Sequence, residues 1–298
     1  MPFFYKSIII KLVISVIVNM EEMLLSAYKE KYAVAQFNIN NLEWTRYILE
    51  ECQNNNSPVI LGVSEGAARY MGGFLTVANL VRSLVKDLKI TIPVAIHLDH
   101  GSSVKSCIDA IEAGFTSVMI DASKYSLEEN IKITKEVVEY ASHRGITVEA
   151  EVGHIGGTED EINSDIAYAK LEDCEVFVKE TNIDFLAPAL GSVHGLYKGT
   201  PCINFERMEK INNSLKMPLV LHGGTGLSDE IIKESIKNGI CKININTELQ
   251  IEWTKAVREF IKKDDKEYDP RKIIRSGENA IKSAIKNKIK LVGSDQKA

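Results

Sequence analysis

The sequence predicts an α/β chain folded as a closed (β/α)8 barrel with additional C-terminal helices. Eight short, nearly continuous apolar runs recur between residues 32 and 245. Helix-length segments with a 3.6-residue apolar period separate most of them, as parallel strands joined by crossovers require. No GxGxxG follows the first run, so the signature of an open dinucleotide-binding sheet is missing.

The runs are YAVAQFNI (32–39), PVILGV (58–63), VAIHL (94–98), SVMID (117–121), TVEAEV (147–152), DFLAPAL (184–190), PLVLH (218–222) and CKINI (241–245). Their apolar continuity fits strands covered on both faces. LEENIKITKEVVEYASHRG (127–145) is a typical intervening helix, with Gly145 as its expected C-cap. After the eighth run, TELQIEWTKAVREFIKK (247–263) and PRKIIRSGENAIKSAIKNKIK (270–290) are expected as two closing helices. With no linker or low-complexity stretch, residues 20–298 should form one domain behind an extension of residues 1–19. That extension, FFYKSIIIKLVISVIVN (3–19), is interrupted by Lys11 and Ser15 and leads into NMEEML without a small-residue cleavage site. It is also short for a membrane span. An upstream extension or an added strand fits it better than a targeting signal.

The chain has 298 residues, 45% hydrophobic and 26% charged, with a net charge of -5 and no basic block. This composition excludes the usual nucleic-acid binders and suits a globular protein with a large core. An anionic ligand would have to be held by local cations and backbone N–H groups. The five cysteines, Cys52, Cys107, Cys174, Cys202 and Cys241, are scattered with no CxxC pair. They point to reduced thiols and a cytoplasmic setting.

Polar residues collect where the runs end. The third closes on Asp99 and His100, the fourth on Asp121, and the fifth on Glu149 and Glu151. The sixth leads to His194, the seventh ends at His222, and the eighth carries Asn244 and leads to Asn246. One such residue is explained by ordinary hydrogen bonding, but six successive strands doing so mark the C-terminal rim, where barrel active sites lie. His100, His194 and His222 supply the three-histidine pattern of a catalytic zinc site with an open position. Asp99 is free for proton transfer. Asp121 and Glu151 are hard oxygen ligands suited to a second metal position. His97 shares Asp99's face and is either a support of the site or a purely structural residue.

HGGTG (222–226) and NINT (244–247) follow the seventh and eighth strands, the usual phosphate-binding place of such barrels. Their N–H groups, with the Thr225 and Thr247 hydroxyls, can cradle an oxyanion. A metal beside a phosphate pocket and a free carboxylate suggests chemistry on a small phosphorylated carbonyl compound. GHIGGTEDEI (153–162) is either a charged surface loop or a mobile lid that delivers a base from Glu159 or Asp160.

The motifs FNINN, GVSEGAARYMGG, HLDHG, SVMIDAS, VEAEVG…GGTED, LAPALGSVHGLYKG, LHGGTG, KININTE and YDPRK, in this order, resemble those of class II, metal-dependent fructose-bisphosphate aldolases. The resemblance runs from about Met20 to the C-terminus. It implies a TIM barrel that reversibly cleaves fructose 1,6-bisphosphate into dihydroxyacetone phosphate and glyceraldehyde 3-phosphate. It implies zinc on His100, His194 and His222, Asp121 and Glu151 at a second metal position, Asp99 as the acid/base and Glu159 as the lid base. Gly195, Gly223, Gly224, Thr225, Asn244, Ile245, Asn246 and Thr247 match the segments gripping dihydroxyacetone phosphate, with Lys198 in support. Arg271 and Ser64 match the distal phosphate end, Arg271 in some members coming from a neighbouring subunit. Members are commonly homodimers or homotetramers, and some use a monovalent cation. Gln250, where some members have arginine, Lys124 and Tyr125, where histidines are frequent, and His154, at a usually small or hydroxylic lid position, depart from the pattern. The nearest alternative is tagatose-bisphosphate aldolase, whose members tend to read HLDHH and HGASG, with alanine at the position of Asn246. Gly101, HGGTG and Asn246 favour fructose. A Schiff-base aldolase, a hydrolase on the same fold and a non-catalytic metal-binding barrel are weaker alternatives.

Overall fold

A computed structural model describes residues 16–159, 162–164, 167–195, 197, 199 and 201–298, with only the backbone described for 157–159 and 162–164. In chain order the first half comprises α1 (Glu21–Glu30), β1 (Val34–Asn38), α2 (Leu42–Asn54), β2 (Val59–Val63), α3 (Glu65–Tyr70), α4 (Phe74–Asp87), β3 (Val94–Gly101), α5 (Val104–Ala113), β4 (Ser117–Ile120), α6 (Leu127–Ser142) and β5 (Thr147–Val152). The second comprises β6 (Gly156–Glu159), β7 (Ile162–Ser164), α7 (Leu171–Thr181), β8 (Phe185–Pro188), β9 (Val193–His194), α8 (Phe205–Leu215), β10 (Leu219–Leu221), α9 (Asp229–Lys237), β11 (Ile240–Ile245), α10 (Thr247–Lys263), α11 (Pro270–Arg275) and α12 (Glu278–Val292).

β1, β2, β3, β4, β5, β8, β10 and β11 pair in that order, all parallel, and β11 closes back on β1. These are the eight runs expected from the sequence. Side-chain oxygens start many of the helices. Asn41, Ser64, Ser103, Ser126, Asn204, Ser228 and Asp269 each accept a backbone N–H in the first turn of the helix they precede. The largest apolar cluster fills the layer between the strands and the surrounding helices.

A second cluster closes the N-terminal mouth of the barrel. Met20, Met23, Leu24 and Ala27 of α1 and its approach pack on Val34, Ile60, Ala95, Phe185, Val220 and Cys241. Just before α1, Val18 N donates to Val94 O at 2.9 Å and Val94 N to Val16 O at 2.9 Å. The end of the N-terminal extension therefore adds a short bridge to β3, and the rest of it, residues 1–15, lies outside the described residues. No described helix is long and apolar enough to cross a membrane.

Two helix boundaries differ from the sequence reading. α6 stops at Ser142 with His143 as its C-cap, and Gly145, at φ +66°, lies in the turn beyond. Residues 270–290 form two helices rather than one. The break falls at Gly277, where a Cβ would stand 2.2 Å from the Trp253 ring. The backbone packs against that indole so closely that only glycine fits.

Leu24 is fully buried at the end of the barrel away from the polar rim. Leu24→Ala is expected to lower the unfolding free energy by about 2–5 kcal/mol in urea titrations, with catalytic constants unchanged below the transition.

Candidate active site

The inward-facing positions change character along the barrel. Above the apolar plug come Gln36, His97, Ser117, Glu149 and Lys242, all with 0% exposure. Above them lie Asn38, Asp99, Glu151, His222 and Asn244, also buried. Polar groups can persist there only if they pair with one another.

Period-two geometry would send Asp99 and His100 to opposite faces of β3. The pairing of β3 with β4 shifts register between Leu98 and Gly101, and His100 adopts φ +51°. This left-handed residue, disfavoured by about 1 kcal/mol for a side chain with a Cβ, brings the imidazole to the same rim as the carboxylate. Gly101 follows because a Cβ there would meet Met119 O at 2.7 Å and Cys107 Sγ at 2.8 Å.

His100, His194 and His222 then face one another edge-on, with ring centroids 4.8, 4.6 and 5.7 Å apart. Each can direct a nitrogen to a common point. His100 Nδ1 is 2.8 Å from Asp121 Oδ2, and His222 Nε2 is 2.8 Å from Glu149 Oε1. A carboxylate beside an outward nitrogen draws the ring proton there and leaves the inward nitrogen with a lone pair. The inward pair, His100 Nε2 and His222 Nδ1, stand 2.8 Å apart. Two lone pairs so close repel unless a cation or a proton lies between them. Burial lowers the pKa of His222, and lowers that of His194 well below the usual range, favouring neutral donors. The residues fit a divalent metal.

His100, Asp121 and Glu151 form a second cluster of possible ligands. Burial, and then the charge of Asp121, raise the Glu151 carboxyl well above the carboxylate range. Burial also opposes ionisation of Asp121, but the His100 and Ser123 hydrogen bonds outweigh it and hold the carboxyl low. His154 is tied in alongside, its Nδ1 2.7 Å from Ser123 Oγ and 3.7 Å from Glu151 Oε1.

Asp99 accepts from Asn38 Nδ2 at 2.9 Å and from Asn244 Nδ2 at 3.1 Å. Burial pushes its pKa up, but the surrounding histidines and Lys242 outweigh this and hold the carboxyl low. Below it, Lys242 Nζ is 2.8 Å from Glu149 Oε2 and 2.9 Å from Asn244 Oδ1. His97 donates to or accepts from Ser117 Oγ at 2.9 Å, and its Nε2 is 3.7 Å from Glu149 Oε2.

The glycine turns lie beside these groups. Gly223 has φ +67°, and a Cβ there would be 2.1 Å from Val193 O. Tyr197 Oη donates to Gly223 O at 2.9 Å and accepts Val193 N at 3.3 Å, tying the two loops together. Thr225 Oγ1 accepts Glu248 N at the start of α10 at 3.4 Å. A cavity of about 230 Å³ opens between the loops. Of the residues singled out in the sequence, Ser64, Asp99, His194, Gly195, Gly223, Thr225, Asn244, Asn246 and Thr247 line it.

Gly224 lies just behind, its N–H donating to Asn244 O, and Ile245 is buried in the core. Arg271 does not line this cavity. It lies on α11, 89% exposed, paired with Asp269 at 2.8 Å. Glu159 falls on β6, where only the backbone is described. Lys198 and Asp160 lie outside the described residues.

Gln250, already noted as a departure from the family pattern, lines the cavity too, as do Asn38 and Asn40, whose part was not foreseen. The roles of Glu149, Lys242 and Tyr197 were likewise not apparent from sequence. The alternation of asparagines at the end of the first run, FNIN, was the available signal for Asn38 and Asn40.

A family model described as Fructose-bisphosphate aldolase class-II matches residues 18–297. The chain is 59% identical to a fructose-bisphosphate aldolase of Geobacillus stearothermophilus over 283 residues, 95% of this chain and 99% of the relative. It is 56% identical, with the same coverage, to a fructose-bisphosphate aldolase of Staphylococcus aureus strain N315. Among solved structures, the YdjI aldolase of Escherichia coli K12 superposes with a TM-score of 0.82 at 34% identity, over 95% of this chain and 99% of that one. A crystal structure of a putative fructose-1,6-biphosphate aldolase from Coccidioides immitis superposes with a TM-score of 0.84 at 30% identity, over 93% and 96%. The chain belongs to the class-II fructose-bisphosphate aldolases, a metal-dependent family.

Proposed function

We propose that the chain reversibly cleaves fructose 1,6-bisphosphate into dihydroxyacetone phosphate and glyceraldehyde 3-phosphate, with zinc as its metal. The observation that carries this reading is a cavity lined by the amide-held carboxylate of Asp99, the glycine turn and His194, with His100 and His222 clustered against His194 as possible metal ligands.

His100, His194 and His222 would hold the zinc, which when bound supplies Lewis-acid polarisation of the substrate carbonyl. Asp121 and Glu151, with His100, suit a second divalent position. Gly195, Gly223, Gly224, Thr225 and the segment Asn244, Ile245, Asn246 and Thr247 grip the dihydroxyacetone phosphate half, the N-terminus of α10 favouring its phosphate. Lys198 supports the same end.

Asp99 takes the proton of the C4 hydroxyl as the C3–C4 bond breaks and C4 becomes the aldehyde carbon. The Asn38 and Asn244 amides, which donate to its two oxygens, favour the ionised form for that step. The electron pair passes to the dihydroxyacetone phosphate half, whose C3 receives a proton from Glu159 on the lid. In condensation each transfer runs in reverse. Ser64 serves the distal phosphate. Its oxygen already caps α3 by accepting Ala67 N at 3.2 Å, which leaves its own O–H to donate. Arg271 does not line this chain's cavity, and in a homodimer or homotetramer a neighbour's arginine would reach this end. Residues 20–298 form the catalytic domain, and the five free cysteines support a cytoplasmic setting.

A Schiff-base route would need a free lysine in the barrel, whereas Lys242 is engaged by Glu149 and Asn244. Purified protein assayed on fructose and tagatose 1,6-bisphosphates should prefer fructose, lose activity in EDTA and regain it with zinc. A tagatose preference would overturn the substrate, and activity surviving exhaustive chelation would overturn the metal. Asp99→Ala should lower kcat by about 10²–10⁴-fold with zinc content unchanged. Lost zinc instead would make Asp99 a metal residue.

A further inference from the structure

Lys242 is fully buried, and the reaction as described makes no use of it. Stability alone is a poor reason for such a residue, because replacing a buried ion pair by apolar side chains is often neutral or stabilising. Its contacts suggest another reason. Nζ reaches Glu149 Oε2 at 2.8 Å and Asn244 Oδ1 at 2.9 Å. The other oxygen of Glu149 lies 2.8 Å from His222 Nε2, and the other end of the Asn244 amide lies 3.1 Å from Asp99 Oδ1.

An ammonium only donates. It therefore holds Asn244 with its oxygen toward Lys242, which turns the amide nitrogen to the Asp99 carboxylate. The same amide nitrogen also lies 3.2 Å from His222 Nδ1. With no donor at position 242, the amide oxygen loses its partner, and only Asp99 and His222 remain to orient the group. On the other side, Lys242 anchors one oxygen of Glu149, so the second stays on His222 Nε2 and keeps the ring proton there. His222 Nδ1 then faces the shared metal point as a lone pair.

We propose that Lys242 is a positioning residue for two groups at once, setting His222 through Glu149 and Asp99 through Asn244. This rests on the reading of His222 as a zinc ligand and Asp99 as the acid/base. The two arms begin at one nitrogen atom, so metal affinity and proton transfer share a single origin inside the barrel.

The test compares full-length Glu149→Gln with the double variant Glu149→Gln/Lys242→Met. Either single change leaves a buried charge without its counter-charge and lowers stability, so every variant is assayed well below the unfolding transition of Glu149→Gln. Zinc affinity is read by competition with a chromophoric chelator, melting temperature on the metal-free proteins, and kcat and KM at saturating zinc. Glu149→Gln should weaken zinc binding by about 10–100-fold. The double variant should show the same zinc loss, a metal-free melting temperature close to that of the wild type, and a further fall in kcat with KM little changed. A double variant with wild-type zinc affinity would overturn the His222 arm, and one with the same kcat as Glu149→Gln would overturn the Asp99 arm. Wild-type protein should bind zinc, and His222→Ala should abolish or sharply weaken that binding. If either fails, the parent reading falls and the Lys242 proposal with it. If both hold and the variants behave like wild type, the Lys242 proposal falls alone.

Discussion

Side chains pointing into the closed barrel are shielded from solvent, so its buried polar groups depend on one another for hydrogen bonds and charge balance. That constraint governs the molecule. Gln36, His97, Glu149 and Lys242 are wholly buried, and the Glu149–Lys242 ion pair balances the charge at their centre. An unpaired ion in such a place costs several kcal/mol. Around this pair, His222, Asn244 and Asp99 take their orientations from hydrogen bonds within one network.

The two ends of the barrel divide the work. At the N-terminal mouth α1 supplies an apolar plug, whose contribution is packing. At the C-terminal rim, where the candidate site lies, the loops abandon regular geometry. His100 takes a left-handed conformation, Gly223 sits where a side chain would strike Val193, and the hairpin of β6 and β7 adds β9 beside the histidines. Stability drawn from the plug and the outer layer lets the rim hold close-set imidazoles and carboxylates that would otherwise repel.

The comparisons fit this division. The Coccidioides immitis structure keeps the fold at 30% identity. Barrel cores accept many apolar combinations of suitable volume, so the fold outlasts the sequence. Tight approaches such as Gly101 to Met119 and Gly277 to Trp253 tolerate much less.

By itself the sequence determined the eight strands, because continuous apolar runs separated by amphipathic segments have few other ways to bury themselves. It also pointed to a candidate site at the strand ends, since polar residues closing six successive runs all come to one rim in a parallel barrel. Local periodicity names the residues that face inward and cannot say which of them meet. That Lys242 joins Glu149 to Asn244, that His100 turns to share a face with Asp99, and that Asn40 and Gln250 reach the cavity while Arg271 does not were decided by tertiary structure. So was the break between α11 and α12, which is set by an indole on another helix. Each depends on strand register, barrel closure or packing between distant segments, and these relations come into being only when the chain has closed on itself.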